Sequence, residues 1–168
     1  MNKEDIKNYL RMLGEELQKK QAIGEILLVD GAVMLLEVGN REVTKDIDAY
    51  FEPKYSSEIR EAAIIVASRE GLPDDWLNDG VKRFFYSQPP HKRWAEYPGL
   101  RVYIATLDYI LVMKVVAGRP QDIEDAKALI HMLHISDAQE VFALIAQYTK
   151  QQKIEARVQY IIEDLFDV

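Results

Sequence analysis

The sequence predicts an α+β fold with its strands in the first part and a helical C-terminal half. Three observations lead there. The run Ile26-Leu27-Leu28-Val29 is continuously apolar behind Gly24 and stops at Asp30-Gly31, the pattern of a buried strand. The segment Asp46-Ile47-Asp48-Ala49-Tyr50-Phe51 alternates polar and apolar residues and is closed by Pro53, which predicts a second strand. From Thr106 onward the apolar spacing is helical almost to the end, and breaks near Arg119-Pro120, Ile135-Ser136 and Gln151-Gln152 divide that half into four helices.

The remaining elements follow in chain order. Ile6, Tyr9, Leu10, Leu13 and Leu17 recur at helical spacing, with acidic residues at the start and Lys19-Lys20 at the end, as the helix dipole favours. Ala32 to Glu37 is a short apolar stretch of good helix formers, terminated by Gly39-Asn40. Ser56 or Ser57 is the expected N-cap of a helix carrying Ile59, Ala62, Ala63, Val66 and Ala67 up to Gly71. Gly71 to Pro98 mixes Pro, Asp, Gly and aromatic residues, so a short helix near Trp76 to Phe84 and then an irregular connection are expected. Arg101-Val102-Tyr103-Ile104 predicts a third strand. No repeat or low-complexity tract interrupts the chain. The expected organisation is one domain over residues 1–168, with a strand-containing core at 22–105 and a helical part at 106–168 packed on it. In that part Val141, Phe142, Leu144, Ile145 and Tyr148, then Val158, Ile161, Ile162, Leu165 and Phe166, describe two amphipathic helices.

Composition narrows the function classes. The 168 residues include 21 Lys+Arg and 28 Asp+Glu, a formal net charge of −7, which excludes a wholly basic nucleic-acid coat. Hydrophobic residues at 48% against 29% charged give the balance of a soluble globule with a real core. The absence of cysteine removes disulfides, thiolate zinc sites, iron–sulfur clusters and Cys nucleophiles together, in keeping with a reducing cytosol. The opening MNKEDIKNYL has no apolar h-region, and no apolar run approaches the length of a membrane span, so a cytoplasmic location is expected.

Asp46 and Asp48 are two residues apart in the second predicted strand, so both side chains are expected on one face, with Ile47 and Ala49 on the other. Carboxylates held a few ångströms apart repel unless a hard cation lies between them. Mg²⁺ or Mn²⁺, bound by one or two carboxylates and by substrate phosphates, meets that need. Asp-x-Asp by itself is a weak signal, because exposed strand edges often carry acids.

Its context is a strand, a Gly-containing turn, a short helix, a basic-polar loop and then the Asp-x-Asp strand. The residues are Leu28-Val29-Asp30-Gly31-Ala32, Gly39 and Thr44-Lys45-Asp46-Ile47-Asp48. This order resembles the polymerase-beta-like nucleotidyltransferase superfamily. A second stretch, Leu107-Asp108-Tyr109-Ile110-Leu111-Val112-Met113-Lys114, then Ala117-Gly118-Arg119, then Asp122-Ile123-Glu124-Asp125, is similar to the Lys…Arg…Asp-x-x-Asp helices of abortive-infection-type nucleotidyltransferase toxins and related uncharacterised bacterial domains. The segment Gly71-Leu72-Pro73-Asp74-Asp75-Trp76-Leu77 resembles those relatives as well.

The resemblance implies a small mixed sheet flanked by helices and a metal-dependent enzyme. It would transfer a nucleoside monophosphate from a nucleoside triphosphate to an acceptor hydroxyl and release pyrophosphate. In that family a glycine turn holds the triphosphate, which here implicates Asp30, Gly31, Thr44 and Lys45; backbone N–H groups at a helix start attract anions. Asp46 and Asp48 would ligate Mg²⁺ or Mn²⁺, Lys114 and Arg119 would contact phosphates, and Asp122 would serve as a third acidic group or general base. The implied acceptor is an RNA such as tRNA, a protein or a small molecule, and the implied setting is a toxin beside a cognate antitoxin. Two departures stand against this pattern: Asp30 occupies a turn position that is usually Gly, and the Arg101–Ile104 strand has no acidic residue, so Asp122 or Asp125 would have to supply the third carboxylate. Asp30 favours the alternative, a catalytically inactive protein of the same fold that acts as a binding or antitoxin-type partner.

Other candidates are weaker. His131 and His134 are three apart on a predicted helix but lack a third soft ligand. His91 reads as a surface residue in a Pro-rich loop, and no nucleophile elbow supports a Ser-His-Asp triad. Residues 82–101 carry Lys82, Arg83, Lys92, Arg93 and Arg101 against Glu96, interleaved with Phe84, Phe85, Tyr86, Trp94 and Tyr97. Such a mixture suits single-stranded RNA and equally suits a core whose charges face water.

Overall fold

Helix α1 (Lys3–Lys19) starts where the Asn2 side chain accepts from Asp5 N at 2.8 Å and Asn2 N donates back to the Asp5 carboxylate at 2.9 Å. Its stripe of Ile6, Leu10, Leu13 and Leu17 is fully buried. The computed structural model describes residues 1–81, 88–149 and 153–167, which fall into two compact units. The first comprises residues 1–81 with His91–Ala105; the second comprises 88–90 and the chain from Thr106.

The first unit is built on a five-stranded mixed sheet of β1 (Gly24–Val29), β2 (Ile47–Phe51), β3 (Leu77–Asn78), β4 (His91–Tyr97) and β5 (Leu100–Ala105), in the order β3-β2-β1-β5-β4. The central strand β1 runs antiparallel to β2 and parallel to β5, with Leu28 opposite both Ala49 and Ile104. One face carries Ile26, Leu28, Ala49, Phe51, Val102 and Ile104, all buried. That face is covered by α1 and α3 (Ser56–Glu70): a Cβ on Gly24 would meet Leu17 and Ile59 at 3.0 Å. A second close approach seats α1 on the β4–β5 turn. A Cβ on Gly14 would lie 2.5 Å from the Pro98 carbonyl oxygen, and Gly99, at φ 82°, abuts the Gly14 backbone.

Between β1 and β2 the chain makes a short helix α2 (Gly31–Val33) that widens into a π-turn over Met34–Val38 and ends at Gly39, whose N–H reaches the Met34 carbonyl at 2.7 Å. The expected helix over Ala32–Glu37 is therefore present, in a wider form. Helix α3 is not capped by Ser56 or Ser57. A 3₁₀ turn over Pro53–Tyr55 leads directly into it and Tyr55 takes the cap position, because Pro53 presets the preceding turn.

Two strands replace what the sequence suggested between Gly71 and Pro98. Leu77–Asn78 forms β3 where a short helix was expected, because Trp76, fully buried and donating to the Ala63 carbonyl at 2.8 Å, pins this stretch beside β2. Residues 82–84, the end of that expected helix, lie outside the described residues. The connection read as irregular contains β4, an edge strand with exposed His91, Lys92 and Arg93. A register shift between Arg93 and Ala95 breaks its two-residue period, which is why alternation did not reveal it.

The second unit consists of α4 (Leu107–Ala117), α5 (Pro120–Met132), α6 (Ala138–Thr149) and α7 (Ala156–Phe166), as the periodicity predicts. Helix α4 is buried nearly all round, through Tyr109, Ile110, Leu111, Val112, Lys114 and Val115, and packs against the other three. At its end Gly118 takes the left-handed φ of 66° and returns its N–H to the Lys114 carbonyl at 2.9 Å. The break expected at Gln151-Gln152 falls outside the described residues. Among the described residues no helix is long and apolar enough to cross a membrane.

Candidate functional site

In the first unit the end of β1 and the start of β2 bring Asp30, Gly31, Thr44, Asp46 and Asp48 to one end of the sheet. Asp48 is opposite Val29 in the β1–β2 register, and its strand neighbours Ile47 and Ala49 point into the core. Asp46 lies one residue before β2 and not within it, half-buried. Across the β2–β3 pairing Ile47 stands opposite Leu77, and Ile47 N donates to the Trp76 carbonyl at 2.7 Å. The next residue back, Asp75, is thereby delivered to Asp46. Burial, then the charges of Asp75 and Asp30, push the Asp46 carboxyl above its ordinary value, while Lys45 opposes them.

The turn itself is tight. Asp30 sits at φ 57° and ψ −132°, a conformation that favours glycine and is strained for any side chain with a Cβ. Gly31 lies under two side chains from the loop before β2: a Cβ there would stand 3.2 Å from Arg41 Nη1 and 3.3 Å from Thr44 Oγ1. Thr44 Oγ1 donates to the Asp46 carbonyl at 3.0 Å, tying the loop to the strand that carries both acids. Arg41 Nε is buried with no hydrogen-bond acceptor, although Arg41 is engaged by other interactions. Arg41 and Asp75 are the residues at this end of the sheet that sequence reasoning did not single out. The only advance signal was their place in the segments flanking the motif.

The donor set is chemically suited to a hard divalent cation: carboxylate oxygens, one of them crowded by two further carboxylates and made harder to ionise. Among the described residues no group of three His, Asp or Glu side chains is arranged to hold a metal ion. A Mg²⁺ here would draw its remaining ligands from water and phosphate, as this ion commonly does.

In the second unit Lys114, Arg119, Asp122 and Asp125 form a buried ion cluster, from which the Arg119 side chain emerges. The Gly118-Arg119-Pro120 turn folds α5 back along α4, so that Lys114 Nζ lies 3.3 Å from Asp122 Oδ1 and 2.9 Å from Asp125 Oδ2. The three side chains are 5%, 2% and 0% exposed. Asp122 also accepts from Arg119 N at 3.1 Å, Nε at 2.6 Å and Nη2 at 3.2 Å, and Gln121 donates to Asp125 at 3.2 Å. Burial raises the Asp122 carboxyl, but the Arg119 hydrogen bonds and the Lys114 charge outweigh it and hold the group below its ordinary value. Of the four, Arg119 alone keeps an exposed side chain, at 70%. Nearby, Asp108 at the start of α4 accepts from Thr106 Oγ1 at 2.6 Å, from Tyr109 N at 2.8 Å and from the Tyr148 hydroxyl at 2.6 Å.

The remaining candidates disperse. His131 is in the last turn of α5, whereas His134 lies past the helix end at φ 55°, so the two do not share a helix face. His91 is on β4, edge-to-face with Tyr103 at 5.3 Å, and the Arg93 guanidinium lies 5.9 Å from the same ring. Lys82, Arg83, Phe84, Phe85 and Tyr86 are outside the described residues.

Residues 6–164 match a family described as "Nucleotidyltransferase of unknown function (DUF6036)", which is nearly the whole chain. No curated protein and no solved structure gives a match.

Proposed function

We propose, from the premise that the chain belongs to the DUF6036 nucleotidyltransferase family, that it moves a nucleoside monophosphate from a nucleoside triphosphate to an acceptor hydroxyl with the help of Mg²⁺ or Mn²⁺. The observation that carries this reading is Asp46. A carboxyl raised by burial and then by the charges of Asp75 and Asp30, beside a glycine turn, is a place where a cation would favour the ionised form. Asp46 and Asp48 would hold the metal, and Thr44 and the Gly31 backbone would hold the phosphates against it, with Lys45 supplying further positive charge. When bound, the metal would neutralise phosphate charge and orient the α-phosphate for in-line attack. In the second unit Lys114 and Arg119 both bond to Asp122, and Arg119 is the member of that cluster whose side chain is largely exposed.

The acceptor we favour for the first assay is RNA, followed by protein and small-molecule hydroxyls. Incubating the chain with Mg²⁺ or Mn²⁺, each labelled nucleoside triphosphate and total RNA should move label to the acceptor. The Asp46→Asn, Asp48→Asn double variant should not. A parent that transfers no label to RNA, protein or small molecule, and binds no nucleotide in a metal-dependent way by calorimetry, overturns this reading. Asp30, strained and negative at the turn, supports a second reading: a partner or antitoxin-type protein that keeps the fold without the chemistry. That reading predicts nucleotide-independent capture of a second protein and no transfer.

A further inference from the structure

We infer that Arg41 is a phosphate-holding residue of the first unit, gripping the triphosphate where it passes the Gly31 turn. The inference rests on the nucleotidyltransferase reading and adds to it a residue outside the Asp-x-Asp and glycine-turn motifs.

Arg41 Nη1 and Thr44 Oγ1 stand 3.2 and 3.3 Å from where a Gly31 side chain would begin, so the guanidinium lies over the backbone of the turn and not out in solvent. A Cβ at position 31 would crowd both side chains. Asp30 precedes Gly31 in the turn, and Thr44 ties the loop over Gly31 to Asp46, so this end of the sheet already carries negative charge. An incoming triphosphate adds several more negative charges, and the Arg41 guanidinium on the turn offsets them. A planar fork of N–H donors matches the tetrahedral oxygens of phosphate in a way that an ammonium does not. The guanidinium is also partly desolvated beforehand: its Nε is buried. Thr44, tied to the Asp46 carbonyl, and Arg41 therefore stand together over Gly31.

Inorganic tripolyphosphate with Mg²⁺ is the probe, because it carries the phosphates without a base or sugar. Calorimetry on the full chain should show Arg41→Gln weakening its affinity by about 10-fold or more, and Arg41→Lys, which keeps the charge and loses the fork, by about 3-fold. Affinity for a nucleoside monophosphate should fall much less, a contrast that a general loss of structure would not produce. If Arg41→Gln does not fold, the unmodified chain gives the answer: the side-chain Nε–H resonance of Arg41 should shift on titration with Mg²⁺ and tripolyphosphate. Label transfer by the parent together with unchanged tripolyphosphate affinity in Arg41→Gln, or an unmoved Nε–H resonance, overturns the Arg41 assignment alone. A parent that neither transfers label nor binds tripolyphosphate overturns both this inference and the reading on which it stands.

Discussion

Replacing Lys114 by Met tests what the buried cluster of the helical unit does. The substitution keeps length and apolar volume and removes only the ammonium, which lies 2.9 Å from Asp125 and 3.3 Å from Asp122 with both carboxylates at most 2% exposed. Removing one partner from a buried pair costs about 3–5 kcal/mol, because the other charge stays desolvated. Asp122 keeps its Arg119 hydrogen bonds at 2.6 and 3.2 Å, so the loss falls mainly on Asp125 and a cost near the lower end, about 3 kcal/mol, is expected. That is a large fraction of the roughly 5–15 kcal/mol that typically separates folded from unfolded. Urea denaturation followed by far-UV circular dichroism at pH 7 reads it directly. Adding Asp125→Asn to the Lys114→Met chain should restore most of the loss. A Lys114→Met protein within about 1 kcal/mol of the parent at pH 7, with nucleotide affinity sharply reduced, would refute this reasoning and put Lys114 on the substrate.

Asp46→Asn should raise the melting temperature of the ligand-free chain at pH 7, by the equivalent of up to about 1 kcal/mol, and leave it nearly unchanged at about pH 2, well below the unfolded carboxyl pKa. The reason is that a carboxyl raised by burial, Asp75 and Asp30 destabilises only while it is ionised; scanning fluorimetry at the two pH values checks this. Asp30→Gly relieves a backbone held at φ 57°, a strain of about 1–3 kcal/mol, against about 0.5–1 kcal/mol of added chain entropy, so chemical denaturation should show a net stabilisation of up to about 2 kcal/mol. Gly14→Ala places a methyl 2.5 Å from the Pro98 carbonyl oxygen, and a loss of about 1–3 kcal/mol is expected in the same assay. Tyr148→Phe removes the hydroxyl donated to Asp108, at a cost of about 1 kcal/mol at neutral pH. Burial and Asp108 push the Tyr148 phenol up to about 12, so its contribution is full below its unfolded value near 10 and is lost as the pH rises toward 12. The variant should lack that alkaline loss in a pH series of melting curves.

The elements most legible in advance were those whose period repeats several times. Helix α1, strands β1, β2 and β5 and the four C-terminal helices carry enough apolar positions to fix their type. The strand β3 has only Leu77 and Asn78, and β4 loses its alternation at the Arg93–Ala95 shift, so neither holds a readable period. The Tyr55 cap of α3 follows from a 3₁₀ turn set by Pro53, a local preference that outcompeted two serines.

Adjacency along the chain already places Asp48 opposite the side of Ile47 and Ala49 and puts Gly31 at the mouth of a strand, because strand alternation and turn chemistry are local properties. The family resemblance, and not spacing alone, names Lys114, Arg119 and Asp122 as a group. The identity of the partners was settled by packing. Asp75 reaches Asp46 because Trp76 is pinned beneath α3, Arg41 lies on Gly31 because the loop folds back before β2, and Lys114 meets Asp125 because α5 lies along α4. Electrostatics depends on distance through space, and spacing along a chain fixes that distance only within a turn of helix or a step of strand; everything longer is decided by how the core closes.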